Sequence, residues 1–107
     1  MTTAPTDLTS ATTLVEHLRR QRQARLIETH ISWVLLDGQD AWKLKKPLHL
    51  PFLDASTLAR RHQLCEEELR LNHRMAPSLY LDVTPITGTP DAPVLGGTGP
   101  AIEYAVH

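Results

Sequence analysis

The stretch Asp40-Ala-Trp-Lys-Leu-Lys-Lys-Pro47 decides the fold, together with the helix-forming residues that follow it. Alternation with a period of two predicts a strand that ends before Pro47, because a proline cannot continue the hydrogen-bond ladder. Such a strand places Ala41, Lys43 and Lys45 on one face and the two apolar residues between them on the other. We therefore expect one face of this strand to present lysines.

The second decisive stretch is a long helix, predicted over residues 57–76, which contains no glycine or proline and stops before Pro77. Ser56 or Asp54 is placed to cap its first turn. Glu68 lies inside its apolar arc, and burying a carboxylate there is costly unless a cation pairs with it. We expect Glu68 to meet a lysine of the preceding strand. The arc itself consists of Leu64, Cys65, Leu69, Leu71, Met75 and Ala76.

The remaining segments complete an α+β pattern. A short amphipathic helix is predicted from Thr13, the stretch 26–36 predicts two strands broken near residues 29–32, and Asp37-Gly38 is a hairpin turn signal. The other predicted segments are an irregular connection at 47–55 and strands at 79–87, 94–95 and 101–106. The expected organisation is a flexible tail over residues 1–12 and one domain over residues 13–107.

Composition argues against several classes of protein, namely nucleic-acid-binding, membrane and disulfide-linked proteins. The chain has 107 residues, a net charge of -1 and a pI near 6.6, so it lacks the basic surface that nucleic acids or anionic membranes attract. No apolar run reaches the roughly 20 residues of a membrane helix, and no signal-peptide pattern is present. The single cysteine, Cys65, cannot form an internal disulfide. We expect a cytoplasmic protein without nucleic-acid or membrane partners and without a metal site.

Seven stretches, taken in order, resemble a known family: 27–34, 43–47, 52–54, 65–72, 79–81, 83–87 and 101–106. The chain resembles the amino-terminal lobe of a bacterial aminoglycoside-phosphotransferase-like family with a protein-kinase-like fold, whose members are often fused to a P-loop ATPase or kinase domain. The resemblance covers roughly residues 25–107.

The resemblance implies a kinase-like small lobe, with an antiparallel sheet of about five strands, one long packed helix and a short N-terminal helix. It implies ATP as the ligand. Lys43, two positions after Ala41, would bind the phosphates, and Glu68 would orient Lys43. Thr29, His30 and Ser32 stand where the glycine-rich phosphate loop of kinases would be, and Glu103, Tyr104 and Ala105 where backbone groups would bind adenine.

The same resemblance implies partners outside these residues. A C-terminal lobe, or a fused ATPase domain, would supply the catalytic base and the magnesium ligands, so we expect no catalytic residue in this chain and no catalysis by it alone. Self-association through the uncovered lobe face is a further expectation.

Alternatives remain at each position. In the alternative interpretation, Lys43 is an exposed strand lysine and Lys45 or Lys46 binds the phosphates. The alternative for Glu68 is a structural ion-pair residue. Residues 29–32 are otherwise an ordinary hairpin turn. The whole domain is otherwise a non-catalytic interaction or regulatory module on a kinase-lobe scaffold.

Overall fold

The structure, a computed structural model, describes residues 8–107 and consists of two helices and an antiparallel sheet of six strands, with a separate two-stranded hairpin. The α+β class is therefore confirmed, with one strand more than expected. The elements in chain order are α1 (Leu8–Arg22), β1 (Arg25–Glu28), β2 (Ser32–Leu36), β3 (Ala41–Lys45), β4 (His49–Leu50), β5 (Leu53–Asp54), α2 (Leu58–Met75), β6 (Val83–Thr89), β7 (Ala92–Leu95) and β8 (Glu103–Val106).

The first three strands form a meander whose turns are fixed by short polar side chains. At the first turn the Ser32 N–H donates to Thr29 Oγ1 at 3.0 Å. At the second turn the N–H groups of Gln39 and Asp40 donate to Asp37 Oδ1, and Gly38 adopts a φ of 96° that favours glycine. The predicted break near residues 29–32 and the predicted turn at Asp37-Gly38 are both confirmed.

The order of strands in the large sheet is β1-β2-β3-β8-β6-β7. The chain leaves the sheet after β3, passes through the β4–β5 hairpin and α2, and returns as β6. The last strand, β8, then inserts between β3 and β6, with Lys43 opposite Val106. This arrangement brings the lysine strand next to the final residues of the chain.

The two faces of the sheet are covered differently. Trp42 and Leu44 of β3 are buried in a core cluster with Leu14 and Leu18 of α1, whereas Lys43 is only half-buried. The predicted alternation along β3 is confirmed. Helix α2 packs chiefly against β8 and presents its carboxylate to the lysine face of β3.

Helix α2 buries only part of its apolar arc. Arg61 and Cys65 are its buried residues, while Leu71 and Met75 keep 50% and 85% of their surface exposed. The helix meets the sheet along a narrow stripe, so an arc several residues wide cannot all reach it. The predicted apolar arc of α2 is therefore buried only in part.

Several predicted boundaries also shift. Thr57 caps α2, since its hydroxyl accepts the Arg60 N–H at 3.1 Å, whereas Asp54 accepts hydrogen bonds from Ser56. Helix α1 begins at Leu8, so residues 8–12 are helical rather than part of a tail, and residues 1–7 of that predicted tail lie outside the described residues. Residues 47–55 contain the β4–β5 hairpin, and the strand predicted at 79–87 begins at residue 83.

Neither helix within residues 8–107 combines the length and apolarity needed to cross a membrane.

Candidate functional site

An ion-pair cluster joins β3 to α2. The Lys45 ammonium donates to Glu68 Oε1 at 2.6 Å, and Lys43 Nζ lies 3.3 Å from Glu68 Oε2. The side chains of Lys45 and Glu68 are 16% and 15% exposed, whereas that of Lys43 is 40% exposed. The expected contact between Lys43 and Glu68 is confirmed, and Lys45 joins it as the closer partner.

Local structure explains why these three side chains meet. The pleat of β3 directs Lys43 and Lys45 to the same face, and the pairing of β3 with β2 and β8 fixes the strand in place. On α2, Asn72 donates from Nδ2 to the Glu68 carbonyl at 2.9 Å, one turn further along the helix. Glu68 thus projects from a regular helix towards a strand held on both edges.

A cavity of about 330 Å³ opens beside this cluster. Val34, Ala41 and Val106 provide apolar walls from three neighbouring strands, while Lys43, Glu68 and His107 provide ionisable groups. The full lining is Val34, Ala41, Lys43, Glu68, Leu79, Tyr80, Val106 and His107. This volume lies at the low end of the roughly 300–1,000 Å³ of small-molecule sites.

The charges of the cluster stabilise the carboxylate. Burial by itself would raise the pKa of Glu68, but the hydrogen bond and charge of Lys45, with a further contribution from Lys43, hold that pKa below its ordinary value. Cys65, one turn earlier on α2, is fully buried, and burial raises the pKa of its thiol to about 12. A thiol with such a pKa stays protonated at neutral pH, so Cys65 is no nucleophile.

Residues 29–32 form a hairpin turn away from the cavity. Thr29 and His30 are exposed, and the Thr29 hydroxyl serves the turn itself. Ser32 is buried, and its Oγ has no hydrogen-bond partner among the residues that the structure describes. Within the same part of the chain, none of Thr29, His30 and Ser32 belongs to the cavity lining.

The residues expected to bind adenine have structural contacts instead. Glu103 is buried and accepts from Arg61 Nε at 3.0 and 3.1 Å; burial raises its pKa, against the opposing charge of Arg61. Tyr104 stacks on His62 with ring centroids 3.9 Å apart, and Ala105 is buried in the core. Strand β8 pairs with β6 along its whole length but with β3 only at Ala105 and Val106, and the Tyr104 N–H donates to Glu103 Oε1 at 3.1 Å. The structure does not bring residues 103–105 to the cavity.

Sequence reasoning missed His107, which lies at the edge of the cavity. Its Nε2 is 2.6 Å from Asp40 Oδ1 and its Nδ1 is 3.3 Å from Asp82 Oδ2, while its ring stacks on Trp42 at 3.9 Å. Burial lowers the pKa of His107, but the hydrogen bonds to the two aspartates outweigh it and raise that pKa above the ordinary value. These partners are distant in sequence, so no local signal marks them.

A larger and more open groove, of about 1190 Å³, runs along the outer side of α2. Its polar residues are of mixed charge, with Arg60 and Arg70 beside Glu66 and Glu67, and Lys43 and Glu68 do not line it. In residues 8–107 no group of three or more histidine, cysteine, aspartate or glutamate side chains is arranged to bind a metal. The smaller cavity is therefore the stronger candidate site.

Part of this chain is similar in sequence to other known proteins. No protein-family model matches the chain, and no solved structure matches it. Two proteins from two strains of Mycobacterium tuberculosis and one from Mycobacterium bovis are each 41% identical to it over 56 residues, and each is named only as an uncharacterized protein. The similarity covers 52% of this chain and 11% of each relative. The chain therefore matches a small part of much longer proteins.

Proposed function

We propose that this chain is the ATP-binding small lobe of a phosphotransferase with a kinase-like fold. The observation that carries the proposal is the Lys43–Glu68 ion pair at the cavity walled by Val34, Ala41 and Val106. In kinases, a lysine of the third strand binds the α- and β-phosphates and a glutamate of the following helix fixes that lysine. The order of three antiparallel strands, a helix and returning strands also supports the proposal.

Each group of the cavity has a role in this proposal. The Lys43 ammonium would contact phosphate oxygens, Glu68 would orient it, and the apolar walls would cover the adenine ring. Leu79 also lines the cavity and keeps 73% of its surface exposed. Transfer of a phosphoryl group needs magnesium ligands and a base, which we assign to a further lobe of a longer protein. This chain by itself would bind ATP weakly and transfer no phosphate.

A second candidate function is a non-catalytic interaction or regulatory module. The observation in its favour is a set of exposed apolar side chains at the end of α2 and just after it: Leu71, Met75, Leu79 and Leu81. Exposed apolar groups of this kind are typical of protein-binding surfaces. Binding of nucleotide separates the two functions, because an interaction module has no need of it.

The test is an NMR titration of the ¹⁵N-labelled chain with ATP and, separately, with adenosine. We expect ATP to shift the amide signals of Val34, Lys43 and Val106. Lys43→Met should weaken ATP binding about twofold to fivefold and leave adenosine binding unchanged, because a half-exposed charged contact contributes about 0.5–1 kcal/mol.

Lys46→Met is the matched control, since the Lys46 ammonium pairs with Glu28 at 2.6 Å and lies over Trp33, outside the cavity. This variant should bind ATP as the unsubstituted chain does. Absence of ATP-induced shifts at the cavity, or equal ATP affinity after Lys43→Met, would reject the nucleotide site and favour the interaction module.

A further inference from the structure

The connection between α2 and β6 forms one wall of the cavity. Leu79 and Tyr80 of this connection line the cavity together with Lys43 and Glu68. We call residues 79–82 the wall segment; they belong to no helix or strand. The contacts that hold the wall segment in place therefore help to set the shape of the site.

His107 fastens the wall segment to the end of β8. The Leu81 N–H donates to the His107 carbonyl at 2.8 Å, and the His107 N–H donates to the Asp82 carbonyl at 2.9 Å. The ring adds contacts of its own, since Nδ1 lies 3.3 Å from Asp82 Oδ2 and Nε2 lies 2.6 Å from Asp40 Oδ1. The ring thus lies between two carboxylates, one in the wall segment and one just before β3.

We infer that His107 is a positioning residue for the nucleotide site, which holds the wall segment in its protonated form and releases the Asp82 side chain when it loses its proton. The inference rests on the proposed function only where it concerns nucleotide. The hold on the wall segment rests on the contacts of His107 themselves.

The number of N–H groups on the ring determines this behaviour. A protonated imidazole ring donates from both nitrogens, so it satisfies Asp40 and Asp82 together. A neutral ring has one N–H, and its other nitrogen is an acceptor, which cannot form a hydrogen bond with a carboxylate. Loss of the proton therefore breaks one of the two contacts.

The contact with Asp82 is the one that breaks. It is longer than the contact with Asp40, and the Asp82 side chain is 54% exposed, against 31% for Asp40. Stacking on Trp42, with ring centroids 3.9 Å apart, keeps the His107 ring beside Asp40. The released Asp82 keeps a partner, because the Thr84 hydroxyl donates to its Oδ1 at 2.5 Å.

The pH of release follows from the pKa of His107. Burial lowers that pKa, but the hydrogen bonds to the two aspartates outweigh burial and hold the pKa above its ordinary 6.5. The contact with Asp82 is therefore complete below pH 6.5 and is lost as the pH rises through the folded pKa.

Cations of the neighbouring elements do not replace the protonated ring. Helix α1 contributes Arg22, which lies over the same indole ring at 5.1 Å and pairs with Asp37 at 2.7 Å. Strand β3 contributes Lys43, which pairs with Glu68 at 3.3 Å. Both cations already have carboxylate partners, so the charge that holds Asp82 to the end of β8 is that of His107.

Hydrogen exchange without nucleotide tests the hold on the wall segment. The protection factor of the Leu81 amide should fall about twofold to fivefold between pH 5 and 9, because a partly exposed charged contact is lost. The Ala55 amide, which donates to the Leu48 carbonyl at 2.7 Å beside the β4–β5 hairpin, reports any general loss of stability. A constant protection factor at Leu81, or an equal fall at Ala55, would overturn the inference.

Three variants separate the contact with Asp82 from other effects of pH. In His107→Gln the protection of Leu81 should no longer depend on pH, because the glutamine side chain does not titrate. In Asp82→Asn the dependence should also disappear, because a side-chain amide can accept from the charged ring or donate to the neutral one. His73→Gln, which replaces an exposed histidine of α2, is the control and should keep the full dependence. Full dependence in Asp82→Asn would overturn the role of Asp82, even if His107→Gln does not fold.

The affinity for ATP tests the consequence for the site. The affinity of the unsubstituted chain, divided by that of His107→Gln at the same pH, should fall about twofold to fivefold from pH 5 to pH 9. Titration of the ATP phosphates cancels in this ratio. An unchanged ratio would overturn the role of His107 in nucleotide binding. If ATP binds at no pH, the proposed function falls, while hydrogen exchange at Leu81 still decides whether His107 holds the wall segment.

Discussion

Single charged residues differ in how far their positions can be predicted from sequence. Glu68 is predictable, because a carboxylate within an apolar helical arc needs a cation and the preceding strand offers lysines. Which lysine lies closer to Glu68 is not predictable, because Lys43 and Lys45 lie on the same face of β3. Only their distances to Glu68 in the structure distinguish them. The pairing of Glu103 with Arg61 is also not predictable, because alternation along a strand does not show which residue of another element will contact it.

The buried pair of Arg61 and Glu103 gives a prediction at this scale. Both side chains are almost fully buried, at 0% and 2% exposure. Glu103→Gln or Arg61→Met leaves the remaining partner without its counter-charge, so each should lower the free energy of unfolding by about 3–5 kcal/mol. The double change Arg61→Met with Glu103→Gln should cost less than the two single changes added together. Urea denaturation followed by circular dichroism measures all three.

Arg60→Met is the matched control, because Arg60 is the exposed neighbour of Arg61 on the same helix. It should change the free energy of unfolding by no more than about 0.5 kcal/mol. A loss of stability in Glu103→Gln as small as that in the control would contradict the structural role of the pair.

At the scale of elements, periodicity and turn residues predict the strands of the first meander and the extent of α2. The capping residue of α2 is not predictable from the sequence, because Asp54, Ser56 and Thr57 are all suitable. Only the hydrogen bond from the Arg60 N–H identifies Thr57 as the cap. The β4–β5 hairpin has two residues in each strand, too few for any periodic pattern. The burial of α2 depends on where the helix crosses the sheet, which its own sequence does not contain.

His107 connects three elements and gives a prediction on pH. Its ring bonds Asp40 before β3 and Asp82 before β6, at the end of β8. The pKa of His107 is raised above its ordinary 6.5, so the protonated ring is the form that folding favours. Its stabilising effect is complete below pH 6.5 and is lost as the pH rises through the folded pKa. Thermal unfolding from pH 5 to 9 should therefore show a loss of stability that His107→Gln removes.

The control is His73→Gln, which replaces an exposed histidine of α2. This variant should keep the pH dependence of the unsubstituted chain. If the difference in stability between the unsubstituted chain and His107→Gln stays constant across that range, the histidine does not stabilise the fold through its charge.

At the scale of the whole molecule, the position of the cavity follows from a pairing between distant parts of the chain. Val34 and Val106 flank Lys43 because β8 returns to the free edge of β3 after α2, β6 and β7. Local patterns identify each strand but do not determine which strands become neighbours. The sequence therefore predicts the lysine and the glutamate of the site, whereas its walls depend on the completed sheet.

The exposed apolar side chains at the end of α2 give the last prediction, which concerns association. Leu71 and Met75, one turn apart, remain 50% and 85% exposed. Burying such groups against another chain is favourable, so the protein should self-associate as its concentration rises. Leu71→Gln with Met75→Gln should shift it towards monomer in sedimentation velocity, without lowering its melting temperature. The control Phe52→Gln changes another exposed apolar residue, at 79%, in the β4–β5 turn and should not affect association. Equal sedimentation of all three proteins at every concentration would show that this surface does not associate with itself.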